Sequence, residues 1–205
     1  MEEFFDLTSF EHKALFEGGR VWDALKNLMK YLESQRLGII LGEVSPQAYL
    51  IKPELISIGK GSRVEAGAYI EGPCVVGENC EIRHGAYVRG GVVTGNHCVI
   101  GHATEVKHSI FLNGAKAGHF NYVGDSILGN GVNLGAGSKL ANLRLDEKEI
   151  IIYLNNERIG TGLTKLGAII GDGASLGCNC VTNPGTIIGK MAFCLPCTSI
   201  KGYMK

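Results

Sequence analysis

In the stretch Ile58-Gly59-Lys60-Gly61-Ser62-Arg63-Val64-Glu65-Ala66-Gly67-Ala68-Tyr69-Ile70-Glu71-Gly72-Pro73-Cys74-Val75-Val76, a large apolar residue returns at every sixth position. The step continues through Ile82, Val88, Thr94, Ile100, Val106 and Leu112, with Thr94 the one polar member of this first set. It returns at Leu128, Leu134 and Leu140, and again at Ile170, Leu176, Thr182, Ile188, Cys194 and Ile200. Two residues before these positions stand small or slim side chains, among them Ser62, Ala68, Cys74, Cys80, Ala86, Cys98, Ser126, Ala174 and Cys180. Side chains two apart on a strand share a face. The pattern therefore predicts short strands joined by tight turns, each sending one large and one small residue into a narrow interior. Glycine follows many of the large residues, as at Gly59, Gly77, Gly101 and Gly135, and accounts for an unusual total of 30 in 205 residues. Self-similarity at a fixed short period marks a repeat architecture.

Composition narrows the function classes. Twenty basic residues balance twenty acidic ones, which argues against a nucleic-acid binder or a polybasic membrane surface. A hydrophobic content of 45% supports a packed core. The opening Met1-Glu2-Glu3 is acidic where a signal peptide is basic, and the longest apolar runs fall far short of a span. A cytoplasmic protein without membrane contact is the expectation. Cys74, Cys80, Cys98 and Cys180 fall in small inward slots and Cys194 in a large one, so packing is the expected role of Cys194-x-x-Cys197 as well.

Two regions leave the repeat. Residues 1–38 carry helical spacing at Val21, Leu25, Leu28, Met29 and Leu32, with Thr8-x-x-Glu11 as a candidate capping box. They read as an N-terminal helical segment before a repeat domain spanning 39–205. From about Leu143 to Leu166 the step lapses, and Asn155-Asn156 suits a hairpin turn between Glu149–Leu154 and Glu157–Gly160. A loop or hairpin projecting from the repeat is expected there, a usual place for function.

The step also slips between Leu112 and Leu128, around Lys116-Ala117-Gly118-His119-Phe120-Asn121-Tyr122-Val123-Gly124-Asp125. A broken local rule beside polar residues marks a candidate site. Arg89 and Lys107 lie 18 residues apart, three repeats, and stacked strands are about 4.8 Å apart. Two cations so placed suit a bridging phosphate, or are two solvated surface charges.

These residues resemble a known family. The six-residue step is similar to that of hexapeptide-repeat acyltransferases, which implies a mainly β fold: a left-handed parallel β-helix with three repeats per coil, here about six coils. Glu105-Val106-Lys107, the Lys116–Asp125 stretch, Asn133-Leu134-Gly135-Ala136-Gly137 and Asn142-Leu143-Arg144 resemble the acetyltransferase domain of the bifunctional enzymes that make UDP-N-acetylglucosamine, the archaeal type most of all. Val21-Trp22-Asp23-Ala24-Leu25 resembles their linker helix. The resemblance implies acetyl transfer from acetyl-CoA to the amine of an amino-sugar 1-phosphate, glucosamine 1-phosphate before galactosamine 1-phosphate. It makes His119 the general base, Glu105 its acidic partner and Asn142 the amide that positions the amine. Arg89, Lys107, Tyr122, Asn133 and Lys148 match residues that bind sugar and phosphate; Ala136 and Cys178 match coenzyme contacts. Cys178 stands where bacterial relatives have serine, and Pro196 lies one coil further along. The family associates as homotrimers with sites between subunits. No nucleotidyltransferase motif opens the chain, so a separate nucleotidyltransferase is an expected partner. No metal is implied.

Two other readings fit the same residues. One is a non-catalytic sugar-phosphate-binding or assembly subunit of a separate nucleotidyltransferase. The other is a zinc enzyme of the γ-carbonic-anhydrase type using His97 and His102 with His84 or His108.

Overall fold

The computed structural model describes residues 2–154 and 157–205. The repeat forms a three-sided parallel prism, with eight strands hydrogen-bonded in order along each face. The first face carries strands such as Glu81–Ile82, Val99–His102, Lys116–His119 and Asn133–Leu134. The second carries Tyr87–Val88, Glu105–Lys107, Tyr122–Gly124 and Lys139–Leu140. The third carries Val92–Thr94, Ser109–Phe111, Ile127–Leu128 and Ala168–Ile170. With the bridge from Ile40 to Ile58, one face reaches a ninth rung. The prism thus has about two more coils than the six expected. The first coil escapes the six-residue step because the turn Pro53–Leu55 lengthens one side. The coil through Ala117 and Val123 escapes it because two sides are shortened.

Those shortened sides share one corner, between the second and third faces. Val88 pairs with Val106, 18 residues on, but Val106 pairs with Val123, only 17 on. Thr94 pairs with Phe111. The inward residue is therefore Phe111, and Leu112, expected inward, joins the cluster outside the prism. Where the longer corner has Gly90 and Gly91 at positive φ, the shortened turns place His108 (φ 44°) and Asp125 (φ 47°) in the left-handed region. Non-glycine residues adopt that region at a cost of about 1 kcal/mol or more. The same corner also bears the insertion. The step from Leu140 to Ile170 leaves the prism and returns, closed at its base by Leu143 bridging Lys165 and by the Leu166 amide on the Asn142 carbonyl at 2.9 Å.

The prism interior is the expected ladder of large and small residues, including Cys74, Cys80, Cys98, Cys180 and Cys194. Cys197, by contrast, is exposed, and all seven cysteines are free. Thr182 is fully buried, and its hydroxyl has no hydrogen-bond partner among the described residues. Valine there keeps the shape and removes an unsatisfied polar group. Thr182→Val is expected to raise stability by about 1 kcal/mol, seen as a higher denaturation midpoint at unchanged slope.

The third face is apolar outside as well as inside. Val93, Ile110, Ile127, Ile169 and Ile187 are buried there beneath Phe5, Leu25, Leu28 and Leu32 from the N-terminal segment and Ile150 and Ile152 from the insertion. Helix α1 (Asp23–Ser34) presents the predicted stripe, with Met29 at its exposed margin. The Thr8 capping box does not form. Only a short turn, Lys13–Phe16, follows it, and the Thr8 amide is held by the Asp6 carboxylate instead. The insertion forms an antiparallel hairpin of Ile151–Leu154 with Glu157–Gly160; Asn155-Asn156, read as its turn, lies outside the described residues. Among the described residues, no helix is long and apolar enough to cross a membrane.

Candidate functional site

His119 ends the first-face strand Lys116–His119 and pairs with His102 one rung before it. The rungs approach closely here, because a Cβ on Gly101 would run into the Gly118 carbonyl. Glycine at 101 lets the two histidine-bearing turns stack. The turns continue as a column along this corner: the Gly137 amide reaches the His119 carbonyl at 3.0 Å, that of Asn179 the Ala136 carbonyl at 2.8 Å, and that of Cys197 the Cys178 carbonyl at 2.8 Å. His119, Ala136, Cys178 and Pro196 thus occupy equivalent turn positions on successive rungs. A first-face groove of about 430 Å³ brings His119 together with Asn133, Ala136 and Lys116.

Glu105 and Tyr122 begin successive strands of the second face and pair across it. The Glu105 carboxylate accepts from Arg89 at 2.7 Å. The salt bridge occupies Glu105 with a cation, and His119 has no side-chain hydrogen bond to it among the described residues. Tyr122 Oη lies 3.4 Å from Asn142 Oδ1. Both groups fold over Gly124, where a Cβ would stand 2.7 Å from the tyrosine oxygen and 2.8 Å from the Asn142 amide nitrogen. Glycine at 124 leaves room for both groups where they stand. Asn142 itself is fixed because it stands at the base of the insertion.

Arg89 and Lys107 do lie on adjacent rungs, at the corner of the second and third faces. They line a pocket of about 250 Å³ with His108, Gly72, Gly90, Gly91 and Met29 of α1. Neither cation is free in this structure: Arg89 is held by Glu105, and Lys107 Nζ lies 3.3 Å from Asp125 Oδ2. Lys148 is exposed on the insertion, where its backbone amide reaches Asp146 at 3.4 Å.

Asp125 is the residue that sequence reasoning passed over. Its carboxylate is buried and carries three donors: His108 Nδ1 at 2.9 Å, Lys107 Nζ, and the Asn142 side-chain amide. Burial by itself raises a carboxyl pKa, but hydrogen bonds from His108 and Asn142 and the charge of Lys107 outweigh it and hold Asp125 below the ordinary value. The signal was its place in a shortened turn. His84 and His102 stack 5.5 Å apart with Nδ1 of each on a backbone carbonyl. Among the described residues, no three His, Cys, Asp or Glu side chains converge as metal ligands.

Comparison with known proteins places this geometry. A family profile described as the GMPPB C-terminal domain matches residues 70–154. The chain is 46% identical over 92 residues to a bifunctional sugar-1-phosphate nucleotidylyltransferase/acetyltransferase of Sulfurisphaera tokodaii, covering 45% of this chain and 23% of that protein. It is 40% identical over 87 residues to the bifunctional protein GlmU of Methanococcus maripaludis, covering 42% and 21%. The chain therefore spans less than a quarter of the length of either relative. Among solved structures, a UDP-N-acetylglucosamine acyltransferase of Francisella novicida superposes with a TM-score of 0.51 at 16% identity, over 79% of this chain and 62% of that one. The chain has the left-handed β-helix fold seen in hexapeptide-repeat acyltransferases, and over its central repeats it is similar in sequence to bifunctional sugar-1-phosphate nucleotidylyltransferase/acetyltransferases.

Proposed function

We propose that this protein is an N-acetyltransferase that moves acetyl from acetyl-CoA to the amine of an amino-sugar 1-phosphate, with glucosamine 1-phosphate as the favoured acceptor. The observation that carries this reading is the arrangement around the second face. His119 stands at one edge with Ala136 and Cys178 in column beside it, and the Arg89–Lys107 pair stands at the other. Between them the three-residue strand Tyr122–Gly124 spans about 10 Å. A sugar lying across this strand puts its phosphate on the cations, while Tyr122 and Asn142 meet the ring.

The chemistry follows from these residues. A hexosamine ammonium must lose a proton before its nitrogen attacks the thioester carbonyl; His119 takes that proton. The nitrogen attacks the carbonyl, the C–S bond breaks, the nitrogen's second proton passes to the departing sulfur, and coenzyme A leaves as the thiol while His119 keeps the first proton. Cys178 is a weak donor for the developing oxyanion; the backbone amides near Ala136 and Gly137 are the stronger candidates. In the family Glu105 orients the base. Here it becomes available to His119 once a phosphate draws Arg89 away. The Glu105–Arg89 pairing also favours a second reading, a subunit that binds sugar phosphates without turnover. The chain is further read as a cytoplasmic homotrimer with sites between subunits and a separate nucleotidyltransferase as partner. Exposed Phe193 and Leu195 at the last rungs support the association.

The test is coenzyme A release by the purified protein, of known solution mass, with glucosamine 1-phosphate, galactosamine 1-phosphate and unphosphorylated glucosamine. Turnover with a phosphorylated amino sugar and little with glucosamine is expected. Binding of the sugar phosphates without coenzyme A release from a folded trimer establishes the second reading.

A further inference from the structure

We propose that His108 is a third cationic contact to the phosphoryl group, poised by Asp125 to take a phosphomonoester dianion in the Arg89–Lys107 pocket. The proposal rests on the reading of that pocket as a phosphate subsite and assigns a residue to it. It starts from charge balance. Arg89 and Lys107 supply two positive charges, but Glu105 lies 2.7 Å from the first and Asp125 lies 3.3 Å from the second. The four groups sum to zero, so the pocket carries no net positive charge toward an arriving dianion until another cation joins it. His108 lines the same pocket and is the remaining titratable group there.

Its orientation suits the role. Asp125 is an ionised carboxylate and accepts only, so the bond at 2.9 Å requires a proton on His108 Nδ1. The opposite edge of the ring is turned toward Gly91, where a Cβ would stand 3.3 Å from His108 Cδ2 and 3.2 Å from the Met29 sulfur. Glycine at 91 keeps that edge open. Protonation of Nε2 makes it a donor into the pocket and places the imidazolium between a buried carboxylate and the bound phosphate. The charged groups around His108 are Asp125 and Lys107 on its own corner and Arg89, backed by Glu105, one rung before. Glu71, a further rung away, is tied to Lys52, and α1 contributes only the neutral Met29 to the lining.

The test is binding of glucose 1-phosphate, which carries the phosphate without an amine, measured by calorimetry with no acetyl donor at pH 6.5 and pH 8.5. Free glucose is the control. Wild-type affinity is expected to fall about five- to tenfold between the two pH values, the scale of one charge-assisted hydrogen bond. His108→Gln is expected to bind as weakly at pH 6.5 as wild type does at pH 8.5. His108→Lys, whose charge persists and whose ammonium still satisfies Asp125, is expected to bind tightly at both. Equal affinity of His108→Gln and wild type at pH 6.5 overturns the proposal, as does a wild type that binds glucose 1-phosphate no better than glucose. A wild type that binds in this pH-dependent way yet releases no coenzyme A leaves the assignment standing and removes the acetyltransferase reading.

Discussion

Replacing His119 by alanine is expected to lower kcat for acetyl transfer by about 10²–10⁴-fold, the contribution of a positioned general base. The KM for the sugar phosphate is expected to change little. The reason is the division of the site. His119 lines the first-face groove with Asn133 and Ala136, while the proposed phosphate contacts, Arg89 and Lys107, sit at the far edge of the second face. Loss of the imidazole removes proton transfer without touching the groups that hold the phosphate. His119→Gln keeps much of the volume and is expected to be as inactive as the alanine variant, which separates chemistry from packing. A His119→Ala enzyme with wild-type kcat would show that this histidine is not the base. Steady-state rates with varied glucosamine 1-phosphate decide the matter.

The second large effect is expected at Asp125. Asp125→Ala leaves Lys107, the Asn142 amide and the proton on His108 Nδ1 without their shared acceptor. Breaking a buried, hydrogen-bonded charge group costs about 3–5 kcal/mol; Lys107 retains partial access to water, so about 2–4 kcal/mol is expected here. The pH dependence has a definite sign. The folded-state pKa of Asp125 is lowered, so its stabilisation is fully present above the unfolded carboxylate value of about 3.9. It is lost as pH falls through the folded value. Denaturant titrations should therefore show a gap between wild type and Asp125→Ala at about pH 5 at least as large as at pH 7. The gap should close in stronger acid. A kinetic effect accompanies this: Asn142 loses the partner that orients its amide, so kcat/KM falls even where the variant is fully folded. Stability unchanged at pH 7 would mean that the three donors find water instead.

The prism was legible because its physics is local. Every strand must send one large and one small side chain into the same narrow interior, so Ile70, Ile82 and Val88 announce themselves regardless of what lies outside. The helix of residues 23–34 was visible for the same reason, as an apolar stripe at helical spacing. The coil count fell short where the rule was locally suspended. The lengthened side near Pro53 hid one rung, and the shortened turns at His108 and Asp125 moved the inward position from Leu112 to Phe111. The candidate residues Arg89 and Lys107 were placed correctly relative to each other because one full coil separates them. Their carboxylate partners were not foreseen. Glu105 was assigned to His119 and is held by Arg89 instead, and Asp125 was read only as part of a motif.

By itself, then, the sequence determined the repeat: short strands joined by tight turns, each burying one large and one small residue, with the closed left-handed prism implied by the family resemblance. Tertiary structure alone decided which polar side chains meet. A turn shortened by one residue carries His108 and Asp125 into the left-handed region and changes the rung from 18 residues to 17. The hydrogen bonds that make Asp125 the hub of the site join it to residues 17 or 18 positions away. Such contacts depend on the length of the path around the prism, which no residue on that path reports.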